Sequence, residues 1–225
     1  MHIGASLAIA IFIVLSCQRL PEPAFSYAPT ENPEAGEAVQ FTNESKNAAT
    51  YNWDFGDGGS STENSPEYLY QEAGIFGVRL TASNDSGEES IVQSVTIYEP
   101  TILGFFVFRD TDQVVLPAAQ VWIYDNETDW ENVNEPLREG ITDDEGRVFF
   151  RNLEPVVYHM WAIKEGTGGI WIFGGFTSKL EQNKSNNFNV PCVWVPNEQK
   201  ATFNFESCLD LDKVKSLKRM LLKRR

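Results

Sequence analysis

Four groups of carboxylates are the residues of this chain best placed to do chemistry: Asp54 with Asp57, Asp110 with Asp112, Asp143 to Glu145, and Asp210 with Asp212. Hydrolysis of a glycosidic bond needs two carboxylates at a set separation, one as acid and one as base or nucleophile. The first and third groups, however, lie among glycines in stretches that read as tight turns, where Asp side chains accept hydrogen bonds from backbone N–H groups. They are expected to shape loops, so no catalytic residue is assigned. Hard oxygen ligands in turns would also suit calcium, but no EF-hand spacing is present. No metal site and no cofactor are expected.

The other reactive side chains are few. Of the two His residues, His2 lies in the N-terminal apolar run and His159 lies inside an expected strand between Tyr158 and Met160. A lone strand His is more often packed than catalytic, and no His-Glu-x-x-His motif, G-x-S-x-G elbow or phosphate-binding glycine loop is present. A Cys–His pair would have to join His159 to Cys192 or Cys208. In an exported chain those two cysteines are instead expected to be oxidised together, and in the chain-entropy model closing that loop contributes about 3 kcal/mol. The alternative is two separately buried thiols. The sequence therefore excludes most enzyme classes and leaves binding as the expected activity.

Among binding residues the tryptophans stand out, because Trp122, Trp130, Trp161, Trp171 and Trp194 all fall in the second half of the chain. Sugar rings stack well on indole faces. Trp122 and Trp161 sit in apolar strand patterns and are expected in the core. Trp130, in the polar run NETDWENVN, and Trp171, in a Gly-rich segment, are the expected surface contacts for a ligand.

The elements that must position these residues are strands. Short alternating runs bounded by Gly, Asn, Asp and Pro recur from residue 24 to residue 208, which is an all-β pattern. The most telling run is Tyr51 to Gly58, YNWDFGDG. Trp53 and Phe55 alternate with Asn52 and Asp54 across a sheet, Gly56 and Gly58 can take positive φ, and Asp54 and Asp57 can hold the turn. Around it follow, in order, AFSY from Ala24, AGEAVQFTNES from Ala35, SPEYLY from Ser65, AGIFGVRLTASNDSG from Ala73 and SVTIYE from Ser94. This series resembles the polycystic kidney disease (PKD) repeat over residues 24–99, with Tyr68 standing where many members carry a His. The resemblance implies an Ig-like β-sandwich, with Trp53, Asp54, Phe55, Gly56, Asp57 and Gly58 as fold determinants, in modules that commonly serve as spacers or interaction domains.

Glu99 and Pro100 mark a boundary, since Pro cannot continue a paired central strand. A second sandwich is expected over residues 101–208, with strands in ILGFFVFRD from Ile102 and AAQVWIYDNETDW from Ala118. A hairpin from Gly140 would turn at Asp144, Glu145 and Gly146, with Val148 and Phe150 on one face. Pro117 to Val121, Thr142 to Phe149 and Asn152 to Tyr158 resemble the transthyretin-like or carboxypeptidase regulatory-like sandwich, which implies a stalk or accessory module.

The two ends differ in kind. Residues 1–16 carry an apolar run from Ile3 to Leu15, too short to span a bilayer comfortably but of signal-peptide length. VLSC, ending at Cys17, resembles the bacterial lipobox, which implies acylation of Cys17 and a tether over residues 18–23. Each buried lipid methylene contributes about 0.8 kcal/mol, so several chains would anchor the protein in a membrane. At the other end Leu209, Leu211, Val214, Leu217 and Leu221 approach helical spacing. A short basic amphipathic helix is expected over residues 209–225, able to lie on anionic lipid, dock on an acidic partner or fold back on the chain's own acidic body. The net charge is −14. Residues 213–225 hold seven of the 18 basic side chains and none of the 32 acidic ones, so the preceding 212 residues carry −21 and would repel nucleic acid.

The sequence thus predicts two tandem Ig-like β-sandwiches in a non-catalytic lipoprotein of the bacterial envelope, outer-membrane and periplasmic or surface exposed, with a glycan or a surface protein as partner. The alternative is a structural subunit or spacer of an adhesion or secretion assembly, docking through the basic tail.

Overall fold

A computed structural model describes residues 19–196; Cys17, Cys208 and the basic tail over residues 209–225 lie outside the described residues. The fold is nearly all β, with fourteen strands and one short helix among the described residues. Two compact units form. Among the described residues, the first comprises 19–31, Ala38–Tyr68 and Ile75–Val95; the second comprises Asn32–Glu37, Leu69–Gly74 and 96–196.

In the N-terminal sandwich, β1 (Phe25–Ala28), β2 (Ala38–Asn43) and β5 (Glu67–Leu69) form one sheet in the order β1-β2-β5. The other contains β3 (Thr50–Asp54), β4 (Ser60–Ser61), β6 (Gly74–Asn84) and β7 (Gly87–Ile97), in the order β4-β3-β6-β7. Strand alternation puts every second residue inward, so Val39 and Phe41 of β2 and Trp53 of β3 are all fully buried, with the Phe41 and Trp53 rings 5.6 Å apart. Ring contacts cross between the sheets: Phe25 meets Trp53 edge-on at 5.1 Å, and Phe41 lies 5.3 Å from Phe55. The Trp53 indole N–H donates to the Glu63 carbonyl at 3.0 Å, so the largest core side chain leaves no polar atom unpaired.

The second unit is built on a seven-stranded sheet in the order β10-β9-β12-β13-β14-β8-β11. Its strands are β8 (Ile102–Arg109), β9 (Gln120–Tyr124), β10 (Arg138–Ile141), β11 (Arg147–Phe150), β12 (His159–Gly166), β13 (Gly169–Phe176) and β14 (Ser185–Pro196). The long strand β14 serves two partners in succession. Ser185 to Cys192 pair in parallel with Ile102 to Arg109, and Val193 to Pro196 then pair antiparallel with β13. The inner core gathers Phe105 and Val107 of β8, Val121 of β9, Phe150 of β11, Ala162 of β12 and Cys192 of β14. A second cluster, with Trp122, Tyr124, Trp161, Ile163, Ile170 and Ile172, covers the opposite face of β9, β12 and β13. Strands buried on both faces need not alternate, which is why VWIY and MWAI run as continuous apolar stretches.

Two expectations from the sequence are corrected here. The strand expected from Ala118 to Trp130 ends at Tyr124 and gives way to the helix α1 (Glu127–Asn132). Asn126 caps it, its side chain accepting from the Asp129 N–H at 2.8 Å, with Glu127 and Asp129 at the positive end. The turn at Asp144 to Gly146 exists, but its arms do not form a hairpin: β10 pairs with β9 and β11 pairs with β8. The turn is held by Asp143, whose carboxylate accepts from the N–H groups of Glu145 and Arg147, while Gly146 has φ +72°. Local turn chemistry fixes the reversal of the chain and leaves open which neighbours its arms find.

A buried polar node also belongs to the second unit. Glu34, 6% exposed, accepts from the Thr101 backbone N–H at 2.8 Å and from its hydroxyl at 2.5 Å. Asn152 donates to the Ala35 carbonyl, and the Thr101 hydroxyl accepts from the Asn183 N–H. A buried carboxylate is tolerated when hydrogen bonds satisfy it in this way.

Candidate functional site

The aspartate-rich turn after β3 is closed on itself. Asp54 accepts from the Gly56 N–H at 3.0 Å and Asp57 from the Gly59 N–H at 2.9 Å, while Gly56 and Gly58 take φ values of +84° and +99°. A Cβ on Gly56 would stand 3.0 Å from the backbone of Gly77. Tyr68 completes the arrangement: its ring stacks on Phe55 with centroids 3.8 Å apart, and its hydroxyl donates to the Asp57 carboxylate at 2.9 Å. Burial first, then the hydrogen bond and the charge of Asp57, push the Tyr68 hydroxyl above its ordinary pKa. The motif residues Trp53, Asp54, Phe55, Gly56, Asp57 and Gly58 therefore sit together, and their polar groups are engaged with the turn.

Asp112, Asp143 and Glu145 are engaged likewise, whereas Asp210 and Asp212 lie outside the described residues. Asp143 is held below the usual carboxylate range, chiefly by the Arg147 backbone N–H and also by its guanidinium. Asp112 pairs with Arg109 at 3.2 Å. Among the described residues, no group of three His, Cys, Asp or Glu side chains is placed to hold a metal ion. Cys192 is fully buried in the inner core, where burial and then the nearby Asp110 push its thiol up to about 12. A thiol so rarely ionised is a poor nucleophile. His159 belongs to the other face of the sheet, between Trp130 at 5.3 Å and Phe176 at 6.0 Å.

The two tryptophans expected at the surface are both half-buried, in different settings. Trp130, on α1, stacks on Trp161 with centroids 5.3 Å apart, and its indole N–H donates to the Met160 carbonyl at 2.9 Å. Trp161 returns the contact, donating to the Trp130 carbonyl at 3.2 Å. Gly174 makes room, since a Cβ there would lie 2.3 Å from the Trp161 ring. Trp130 is thus a clasp between helix and sheet. Trp171, on β13, leans on the inner core's rim and lies 5.2 Å from Trp194 across the β13–β14 pair, with the Arg109 guanidinium 5.4 Å above its ring. Sequence reasoning did not single out Arg109 or Trp194. The signal for Trp194 was the glycine-rich run before Trp171, because Gly166 and Gly169 leave the bed in which the Trp194 ring lies.

These features define a class: an all-β protein whose N-terminal sandwich spends its acidic turn on its own architecture. The PKD domain model matches residues 21–98, and that part of the chain is a PKD domain. The chain is 38% identical over 58 residues to the pre-pro-metalloprotease PrtV of Vibrio cholerae, covering 25% of this chain and 6% of that protein. It is 39% identical over 74 residues to a collagenase of Bacillus cereus, covering 28% of this chain and 8% of that protein. It thus spans less than a tenth of the length of these curated relatives. The solved PKD1 domain of the Vibrio cholerae metalloprotease is 30% identical, with a TM-score of 0.30, and the match covers 35% of this chain and 98% of that domain. No helix among the described residues is long and apolar enough to cross a membrane.

Proposed function

We propose that this protein is a non-catalytic lipoprotein of the bacterial envelope, anchored through Cys17, whose PKD domain carries and displays a second binding sandwich of the transthyretin-like kind. The ligand is a glycan or another surface protein. The observation that carries this reading is the contrast between the two units: the acidic turn of the PKD domain is closed by its own backbone and Tyr68, whereas half-exposed Trp171 and Trp194 lie beside Arg109 in the second. The pairing of Cys192 with Cys208 belongs to the same proposal, as does docking through residues 209–225.

A second reading, that the chain is a spacer of an envelope assembly, is favoured by Trp130, which is engaged as a clasp and presents no free indole N–H. The test is expression with the chain's own N-terminal segment in a bacterial host, with and without globomycin. The intact mass of the native protein is compared with that of Cys17→Ala, and washed envelopes are then probed for capture of polysaccharide. An acylated mass at Cys17 with glycan capture is expected. An unacylated chain overturns the anchor, and an acylated chain that captures only protein favours the spacer.

A further inference from the structure

We infer that Arg109, Trp171 and Trp194 form a stacking site for a neutral glycan at the point where β14 leaves β8 for β13. This rests on the binding-module reading above and assigns it a location and a ligand class. The register places Cys192 beside Arg109 and Trp194 opposite Trp171, so the three side chains converge where one strand changes partner. The two indoles lie 5.2 Å apart at 53°, forming an angled aromatic surface.

The contrast with the protein's core tryptophans is informative. Trp53, Trp122 and Trp161 are at most 1% exposed, whereas Trp171 and Trp194 are held only half-buried. The backbone is nevertheless shaped for them: a Cβ on Gly169 would stand 2.5 Å from the Trp194 ring, and one on Gly166 would stand 2.8 Å from it. Rings held in place yet partly exposed are suited to a ligand with a flat apolar surface, as a pyranose has along its C–H groups.

The polar groups select among sugars. Arg109 lies over Trp171 and pairs through Nη1 with Asp112, while its buried Nε–H has no hydrogen-bond partner. The guanidinium supplies donors and the Asp112 carboxylate supplies acceptors, a combination that fits neighbouring hydroxyls, each of which both donates and accepts. An acidic sugar would meet Asp112, the adjacent Asp110 and the net −21 carried by the first 212 residues.

The test uses the full-length protein, titrated with cellohexaose, mannohexaose and hexagalacturonate by calorimetry and tryptophan fluorescence. The variants are Trp194→Ala, Arg109→Lys and Asp112→Asn, with Phe176→Ala as an aromatic control away from the site. Folding of each is checked by thermal melting, and Asp112→Asn keeps the test available if Trp194→Ala does not fold. A neutral hexasaccharide should bind, with affinity falling about tenfold in Trp194→Ala, as for a central aromatic contact. Arg109→Lys and Asp112→Asn should each weaken it several-fold, and Phe176→Ala should bind as the native chain does. Binding unchanged in all three site variants overturns the site while leaving glycan binding intact. Binding of hexagalacturonate alone, or of no hexasaccharide, overturns the ligand class; capture of an envelope protein by the same native sample would then leave the broader binding reading standing.

Discussion

Gly59 and Tyr68 should behave as one unit, and the substitution that reveals it is Gly59→Ala. A Cβ at Gly59 would lie 1.9 Å from the Tyr68 hydroxyl oxygen and 2.6 Å from Cζ, so the ring must leave its place. Gly59 has no positive φ, and its backbone therefore accepts Ala without strain. Displacing Tyr68 loses its stack on Phe55, worth about 1 kcal/mol. It also loses the hydroxyl bond to Asp57, worth about 1 kcal/mol once discounted for its exposed setting. Against this, Gly→Ala stabilises by about 0.5 kcal/mol through the unfolded chain. The net expectation is a loss of about 1.5 kcal/mol. In a Tyr68→Ala background the clash is gone, so Gly59→Ala should be neutral or slightly stabilising, giving a coupling of about 2 kcal/mol. The assay is a double-mutant cycle in urea, read by amide exchange within β3 and β6 so that the N-terminal sandwich is reported separately. A cost for Gly59→Ala that is the same in both backgrounds would refute the reasoning.

Three further outcomes are expected. Gly174→Ala should displace Trp161 and break its bond to the Trp130 carbonyl, costing about 1–3 kcal/mol as overpacking does; amide exchange should rise in α1 and not in β10, and an unchanged α1 would count against the clasp. The reduced Cys192 thiol, pushed up to about 12, should react with iodoacetamide at pH 9 several hundred-fold more slowly in the folded protein than in urea, by roughly the ratio of thiolate fractions, and fast labelling of the native chain would contradict its burial. Asp143 has a lowered pKa when folded, so its contribution is present above about pH 4, the unfolded value, and is lost as pH falls through the folded one. Asp143→Asn should therefore be less stable than the native protein at pH 7, with the gap closing in acid urea titrations; a gap independent of pH would remove the charge from the explanation.

The parts of the fold visible in the sequence were those in which neighbouring residues explain one another. Trp53 and Phe55 point inward and Asp54 and Asp57 bind N–H groups two residues on, so alternation and turn chemistry sufficed. Trp122 and Trp161 were recognisable as core from their apolar strands. Long-range pairing was less legible. Nothing local to Asp143 or Gly146 says that the arms of their turn join opposite ends of a sheet, and nothing in FNVPCVWV says that the strand changes partner after Cys192. Trp130 looked solvent-facing because its neighbours are polar, yet α1 turns it onto Trp161. Tyr68, read only as a departure from a family pattern, proves to be the closing contact of the turn.

The division of β14 between two partners bears on how the second unit would carry a pulling force. β8 begins at Ile102 and β14 ends at Pro196, and over Ser185 to Cys192 the two run parallel as neighbours. Tension applied between Ile102 and Pro196 would therefore slide the strands past one another, loading their slanted hydrogen bonds together. Peeling them one by one would require force at the same end of both. Extending the second unit between these points would thus demand near-simultaneous rupture of the β8–β14 ladder, which makes that ladder a mechanical clamp.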